Sequence, residues 1–127
     1  MVSNAEVSIE RRTVLVIEDD AATNAMVAAA LTDEGYVVIA AHDGDEGIRQ
    51  ALLHAPALIL LDLRMPRGGG VDFLEAYRAK SPNGAAIVLM TAAADQDHED
   101  VRSMVDGVLP KPFDIDDLIE VARQHCG

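Results

Sequence analysis

Thr13-Val-Leu-Val-Ile17-Glu-Asp-Asp20 decides the fold, because an apolar run of five residues stops abruptly at three acids. Continuous apolarity of this length is typical of a strand that is covered on both faces, as in a parallel sheet. Two later runs end in the same way, since residues 58–61 stop at Asp62 and residues 86–90 stop at Thr91. The sequence therefore predicts buried parallel strands whose ends carry polar side chains.

Strand and helix patterns alternate along the rest of the chain. The predicted strands are residues 13–17, 37–40, 58–61, 86–90 and 107–109, and the predicted helices are residues 21–34, 45–54, 71–79, 97–105 and 114–125. Parallel neighbours need a crossover, which is usually a helix, so we predict a doubly wound α/β sheet with helices on both faces. We expect a flexible tail over residues 1–12 and a single domain over residues 13–127.

Composition limits the classes of partner that the chain can have. Half of the 127 residues are apolar and only 3% are aromatic, which predicts an aliphatic core. The net charge of −12 repels phosphate backbones and anionic headgroups, so we expect neither nucleic acid nor membrane as a partner. Cys126 is the single cysteine, and no apolar run is long enough to cross a bilayer, so we expect a reduced, cytoplasmic protein.

The polar residues at the strand ends form a chemically coherent set. Ligands of open α/β sheets bind beyond the carboxyl ends of the strands, so these residues are expected to converge on one site. The set consists of Glu18, Asp19, Asp62, Thr91 and Lys111. Three neighbouring carboxylates repel one another, so either one of them takes up a proton or a cation binds between them. Oxygen ligands with neither His nor Cys favour Mg²⁺ or Mn²⁺ over Zn²⁺. An Asp can become an acyl phosphate, with an ammonium and a hydroxyl stabilising the phosphoryl oxygens.

Four motifs in this order resemble the response-regulator receiver family, the chemotaxis-regulator-like domain of two-component signalling. They are Val16-Ile-Glu-Asp19, Leu60-Leu-Asp-Leu-Arg-Met-Pro66 with Gly70 beyond it, Met90-Thr-Ala92, and Leu109-Pro-Lys-Pro-Phe113. The resemblance covers residues 13–125 and implies a flavodoxin-like strand order of 2-1-3-4-5. It also implies a signalling module that catalyses only its own phosphorylation and dephosphorylation.

The resemblance assigns roles to the residues at the strand ends. It implies that Asp62 accepts the phosphoryl group and that Glu18, Asp19, Asp62 and the backbone carbonyl of Arg64 bind Mg²⁺. The phosphoryl donor would be a histidine kinase or a histidine phosphotransfer protein, and the signal would pass to a downstream protein target. Because no output domain follows residue 127, we expect a stand-alone receiver.

The remaining roles fall on strands four and five. The resemblance implies that Lys111 contacts the phosphoryl group, that Thr91 is the switch hydroxyl, and that the Lys111–Pro112 bond is cis. Receivers usually carry an aromatic residue three positions before the lysine, whereas this chain has Val108 and a shortened corner just before Gly107. We therefore predict that the loop over residues 92–96 and the fourth helix carry the conformational change.

Two alternatives compete with this interpretation. The first is a vestigial receiver that acts as a phosphorylation-independent interaction module, which the valine at position 108 favours and the intact five-residue set opposes. The second is a phosphatase of the haloacid-dehalogenase type, which also uses an aspartyl nucleophile. Such enzymes need a second Asp two residues after the nucleophile, and Arg64 occupies that position here, which opposes this alternative.

Overall fold

The computed structural model describes residues 12–65, 69–92 and 99–126, without the side chains of Glu99 and Asp100. The strands are β1 Thr13–Ile17, β2 Val37–Ala41, β3 Leu58–Asp62, β4 Ala86–Ala92 and β5 Gly107–Lys111. The helices are α1 Ala21–Asp33, α2 Gly44–His54, α3 Gly70–Lys80, α4 Glu99–Arg102 and α5 Ile115–Cys126. Each predicted element is present among these residues.

All strand pairs are parallel and the sheet order is β2-β1-β3-β4-β5, which confirms the predicted doubly wound topology. Strand β2 lies on one side of β1, and β3 lies on the other side. The direction in which successive strands are added to the sheet therefore reverses between β1 and β3. The register aligns Asp62 with Met90 and Ala92 with Lys111. The carboxyl ends of these strands therefore meet at one edge of the sheet.

Each face of the sheet supports its own aliphatic core. Val14 and Val16 pack with residues of α1 and α5, whereas Leu15 and Ile17 pack with residues of α2, α3 and α4. Successive strand residues point to opposite faces, so helices on both sides bury every residue of β1. This burial explains why β1 is uniformly apolar and does not alternate with polar residues.

Local signals fix where the chain turns near the site. Asp20 caps α1 by accepting a hydrogen bond of 2.9 Å from the Thr23 backbone N–H. A Cβ atom on Gly70 would lie 2.7 Å from Leu63 Cα, a separation that real Cβ atoms essentially never show. Glycine at the start of α3 thus allows the chain to turn tightly after β3.

The corner between α4 and β5 differs from its prediction. Helix α4 ends at Arg102 and not at Val105, while the predicted start at residue 97 lies outside the described residues. The turn after α4 carries the chain to Asp106, whose N–H donates to Ile87 O at 2.7 Å and whose carboxylate accepts from Ile87 N at 2.8 Å. Pairing with β4 has overridden the helical pattern of residues 103–105.

The amino-terminal boundary stays a prediction, because residues 1–11 lie outside the described residues. Arg12 itself contacts the domain: its carbonyl accepts from Val37 N at 2.9 Å, and its guanidinium lies 4.7 Å from the centre of the Tyr36 ring. Within the described part of the chain, no helix is long and apolar enough to cross a membrane.

Candidate functional site

The strand ends bring carboxylates from two strands and an ammonium from a third to one edge of the sheet. Glu18, Asp19 and Asp62 each offer an oxygen, and these three atoms lie within 4.8 Å of one another. Lys111 Nζ lies 2.7 Å from Glu18 Oε1 and 3.8 Å from Asp62 Oδ1. Four of the five residues that were predicted to converge are therefore in direct proximity.

The acids of this cluster differ in exposure. Glu18 is 1% exposed and Asp62 is 7% exposed, whereas Asp19 lies at the surface. An ionised carboxylate can be buried only with compensation from a cation, a proton or hydrogen bonds. The ammonium of Lys111 supplies part of this compensation, and the exposed side of Asp19 leaves the cluster open to solvent.

The electrostatics of the cluster reflect an excess of negative charge. Burial, and then the neighbouring Glu18, raise the pKa of Asp62 to about 7. Burial alone would raise the pKa of Glu18, but its interactions with Asp62 and Lys111 lower that pKa overall. Burial would likewise lower the pKa of Lys111, and Glu18 and Asp62 reverse this, so the pKa of Lys111 is raised and the amine stays charged. The buried acid pair thus keeps a proton, held mainly by Asp62, up to near-neutral pH.

Backbone groups orient the two buried acids. The Arg64 N–H donates to Asp62 Oδ1 at 3.1 Å, which fixes one oxygen of that carboxylate. The Glu18 N–H donates to the Ala41 carbonyl at 3.0 Å and so anchors the first residue after β1 to the end of β2. The hydrogen bond from Arg64 to Asp62 also favours the ionised form of Asp62, against the effect of burial.

Thr91 and Arg64 have predicted roles toward a phosphoryl group and a metal ion, respectively. Thr91 is buried at the end of β4, one residue beyond the partner of Asp62, and its hydroxyl donates to the Ala92 carbonyl at 3.4 Å. The described contact of Arg64 is made by its N–H, so its carbonyl as a metal ligand stays a prediction. The Lys111–Pro112 bond is cis, as predicted.

Sequence reasoning did not single out Asn24, which adjoins the cluster. This residue is buried on α1, and its side-chain amide donates to the carbonyls of Glu18 and Ala41. The available signal was a polar residue at helical spacing with the apolar Val27 and Leu31, on the face of α1 that packs against the sheet.

The donor set fits a hard divalent cation. All three carboxylates offer oxygen, and the cluster contains neither imidazole nor thiolate. Oxygen donors of this kind match Mg²⁺ better than Zn²⁺. A divalent charge would also replace the proton that the acid pair otherwise keeps.

An apolar cavity of about 460 Å³ borders the cluster on the side of α1. Its lining residues are Thr23, Met26, Ala92, Lys111, Pro112 and Phe113. Because Lys111 contacts both this cavity and the buried acids, a molecule that occupied the cavity would lie next to the site.

Comparisons with known proteins agree with this geometry. The family model described as response regulator receiver domain matches residues 14–123. The transcriptional regulatory protein PdtaR of Mycobacterium tuberculosis is 38% identical over 122 residues, which are 92% of this chain and 57% of that protein. The phosphate regulon transcriptional regulatory protein PhoB of Escherichia coli is 32% identical, over 85% of this chain and 48% of that protein. The chain spans about half the length of the curated relatives it matches.

Solved structures give the same result at the level of the fold. A CheY-like response regulator receiver domain protein from Methanospirillum hungatei superimposes with a TM-score of 0.83 and 32% identity, over 92% of this chain and 95% of that one. The chemotaxis protein CheY4 of Vibrio cholerae gives a TM-score of 0.80 with 26% identity. The family match, the strand order and the acidic cluster all agree, and the chain belongs to the response regulator receiver domains of two-component signalling.

Proposed function

We propose that Asp62 accepts a phosphoryl group from a phosphohistidine donor in a Mg²⁺-dependent reaction, and that the chain signals by conformational change and protein contact. The observation that carries this proposal is the buried Asp62, with oxygens of Glu18 and Asp19 within 4.8 Å and Lys111 Nζ at 3.8 Å. Receiver domains are signalling modules, and this cluster supplies the groups that phosphoryl transfer to a carboxylate requires.

In the proposed reaction, an oxygen of ionised Asp62 attacks phosphorus and forms an acyl phosphate. The bond between phosphorus and the donor imidazole nitrogen breaks, and the imidazole leaves with the electron pair. The Arg64 N–H holds Oδ1, so the two oxygens of Asp62 are not equivalent. Lys111 Nζ stays charged beside Asp62, where it can pair with a phosphoryl oxygen.

Glu18, Asp19 and Asp62, with the Arg64 carbonyl, would hold the Mg²⁺. The ion, when bound, supplies positive charge that reduces repulsion among the carboxylates and stabilises charge on the phosphoryl oxygens. Buried Thr91 would donate its hydroxyl to a phosphoryl oxygen, in exchange for its present bond to the Ala92 carbonyl. This exchange is the proposed start of the conformational change.

The proposed partners are a histidine kinase or histidine phosphotransfer protein as the donor and a downstream protein as the target. The charge of −12 supports protein contact over direct nucleic-acid or membrane binding by this domain. The curated relatives are about twice as long and are named transcriptional regulatory proteins, so this expectation applies to the domain and not to a longer protein. Stand-alone action and a cytoplasmic location belong to the proposal.

A second candidate is a phosphorylation-independent interaction module, and Val108 favours it. This residue is partly buried against the core that contains α2, α3 and α4, and it has no ring to report on the site. The two candidates predict opposite results when the chain meets a phosphoryl donor, because only the first requires Asp62 to be chemically competent.

Acetyl phosphate with Mg²⁺ tests the proposal when the intact mass is measured. Wild type should gain one phosphoryl group, while Asp62→Asn or a chelator should abolish the gain. Asp72→Asn is a matched control, because Asp72 is an exposed acid in the first turn of α3. An unmodified wild type that still binds its partner would support the interaction module instead.

A further inference from the structure

Asn24 is a buried polar residue whose side-chain amide nitrogen donates to two backbone carbonyls. It lies on the first turns of α1 and is 2% exposed. Its Nδ2 donates to the Glu18 carbonyl at 3.1 Å and to the Ala41 carbonyl at 3.0 Å. Both amide hydrogens are therefore used, and each ends on a residue at the carboxyl end of a strand.

These bonds join three segments around the acidic loop. The Ala41 carbonyl accepts from Asn24 Nδ2 and also from the Glu18 N–H at 3.0 Å. The Asn24 N–H donates to the Asp20 carbonyl at 2.9 Å. The loop from Glu18 to Asp20 is thus held by one residue at both its first carbonyl and its last. These hydrogen bonds connect the ends of β1 and β2 to the start of α1.

The bond to the Glu18 carbonyl has a specific consequence for the acids. That carbonyl belongs to the peptide unit that joins Glu18 to Asp19, so fixing it fixes the plane of this unit. The orientation of this plane constrains ψ of Glu18 and φ of Asp19, and it therefore limits the directions in which both side chains leave the backbone. Asn24 contacts no carboxylate in the hydrogen bonds described, and it acts on them through the main chain.

We propose that Asn24 is a positioning residue for the cation site: its amide orients the Glu18–Asp19 peptide so that both carboxylates reach the ion together with Asp62. This inference rests on the proposed Mg²⁺-dependent function. Groups that orient metal ligands without touching the metal change metal affinity by about 10- to 100-fold when they are lost. A purely structural role for Asn24 would lower stability and leave the affinity of the folded protein unchanged.

The test compares Mg²⁺ affinity in variants of the full chain by calorimetric titration, at a temperature where each variant is folded. Asn24→Leu keeps the branched shape of the side chain and removes both donors, whereas Asn24→Ser keeps one donor. Leu31→Ala is the matched control, because Leu31 is a fully buried residue of the same helix in the apolar core. Its loss destabilises α1 without touching the acidic loop.

We expect Asn24→Leu to weaken Mg²⁺ binding by about 10-fold or more and Asn24→Ser to weaken it less. Phosphorylation by acetyl phosphate should recover at saturating Mg²⁺, and hydrogen exchange of the Asp19 amide should accelerate. If Asn24→Leu does not fold, Asn24→Ser carries the same comparison. Leu31→Ala should bind Mg²⁺ with the wild-type affinity.

Two outcomes would overturn the inference, and they differ from a failure of the proposed function. Wild-type Mg²⁺ affinity in the folded Asn24 variants, or an equal loss of affinity in Leu31→Ala, shows that Asn24 is merely structural. A wild type that binds no Mg²⁺ and takes no phosphoryl group overturns the proposed function, and the positioning role falls with it.

Discussion

Asp62→Asn should stabilise the metal-free protein, although it removes the residue on which the proposed function depends. Burial and the nearby Glu18 raise the pKa of Asp62 to about 7, so above that pH the folded protein carries a carboxylate in unfavourable surroundings. Asparagine has nearly the same shape and no charge. The substitution therefore relieves repulsion with Glu18 and keeps the packing at the end of β3.

The size of the effect follows from the shift of the Asp62 pKa from its ordinary value of 3.8 to about 7. Each unit corresponds to about 1.4 kcal/mol, so the ceiling is roughly 4 kcal/mol. Glu18 shares the same proton, and the lowering of its pKa in the folded state offsets part of the destabilisation that comes from Asp62. We therefore expect Asp62→Asn to raise the free energy of unfolding by about 1–3 kcal/mol at pH 8.

The sign of the pH dependence is fixed by the same shift. Between the ordinary pKa of 3.8 and about pH 7, folded wild type keeps a proton that unfolded Asp62 has lost. Wild-type stability from this group therefore falls as pH rises through that window, and it is constant above it. The difference in the free energy of unfolding between Asp62→Asn and wild type should increase from about pH 4 and become constant above about pH 7.

Urea unfolding in a chelating buffer, from pH 4 to pH 8, measures this difference. Asp72→Asn serves as the control, because an exposed acid at a helix start should give no gain. Adding Mg²⁺ should stabilise wild type and reduce the difference, since a ligand that binds only the folded state raises its stability. An Asp62→Asn variant that is no more stable than wild type at pH 8 without metal would refute this account of the cluster.

Three further predictions follow from other contacts. Lys111→Met should lower the free energy of unfolding by about 1–3 kcal/mol at pH 8 without metal, because the buried Glu18 carboxylate loses its ammonium partner, and unchanged urea unfolding would contradict this. Gly70→Ala should displace the turn after Asp62 and slow phosphorylation by acetyl phosphate, which a wild-type rate would exclude. Beryllofluoride should change hydrogen exchange over residues 92–105, because Val108 has no ring to swing inward; a response confined to α1 would contradict this switching hypothesis.

Much of the fold and of the acidic cluster could be predicted because both follow from strand ends. Apolar runs that stop at Glu18, Asp62 and Lys111 place these residues at one edge of a parallel sheet, whatever the details of packing. The strand pattern alone was therefore enough to predict that these side chains lie close together.

The elements that escaped prediction depend on tertiary contacts. The bonds of Asn24 join α1 to two strands, and its helical spacing with Val27 and Leu31 indicates a packed face without revealing these partners. Helix α4 ends at Arg102 because Asp106 pairs with β4, which helical periodicity does not reveal. Residues 93–96 of the predicted switching loop and the first two residues of the predicted fourth helix, 97 and 98, lie outside the described residues, so hydrogen exchange tests that hypothesis.

The identity of the phosphorylated residue is the most direct test of the central claim. Wild type would be treated with acetyl phosphate and Mg²⁺ and then reduced with borohydride, which converts an aspartyl phosphate to a stable alcohol. Peptide mapping by mass spectrometry should find the reduced product at position 62 and nowhere else, and only when Mg²⁺ is present. Modification at Asp19 or at another acid, or equal modification in the presence of a chelator, would contradict the account.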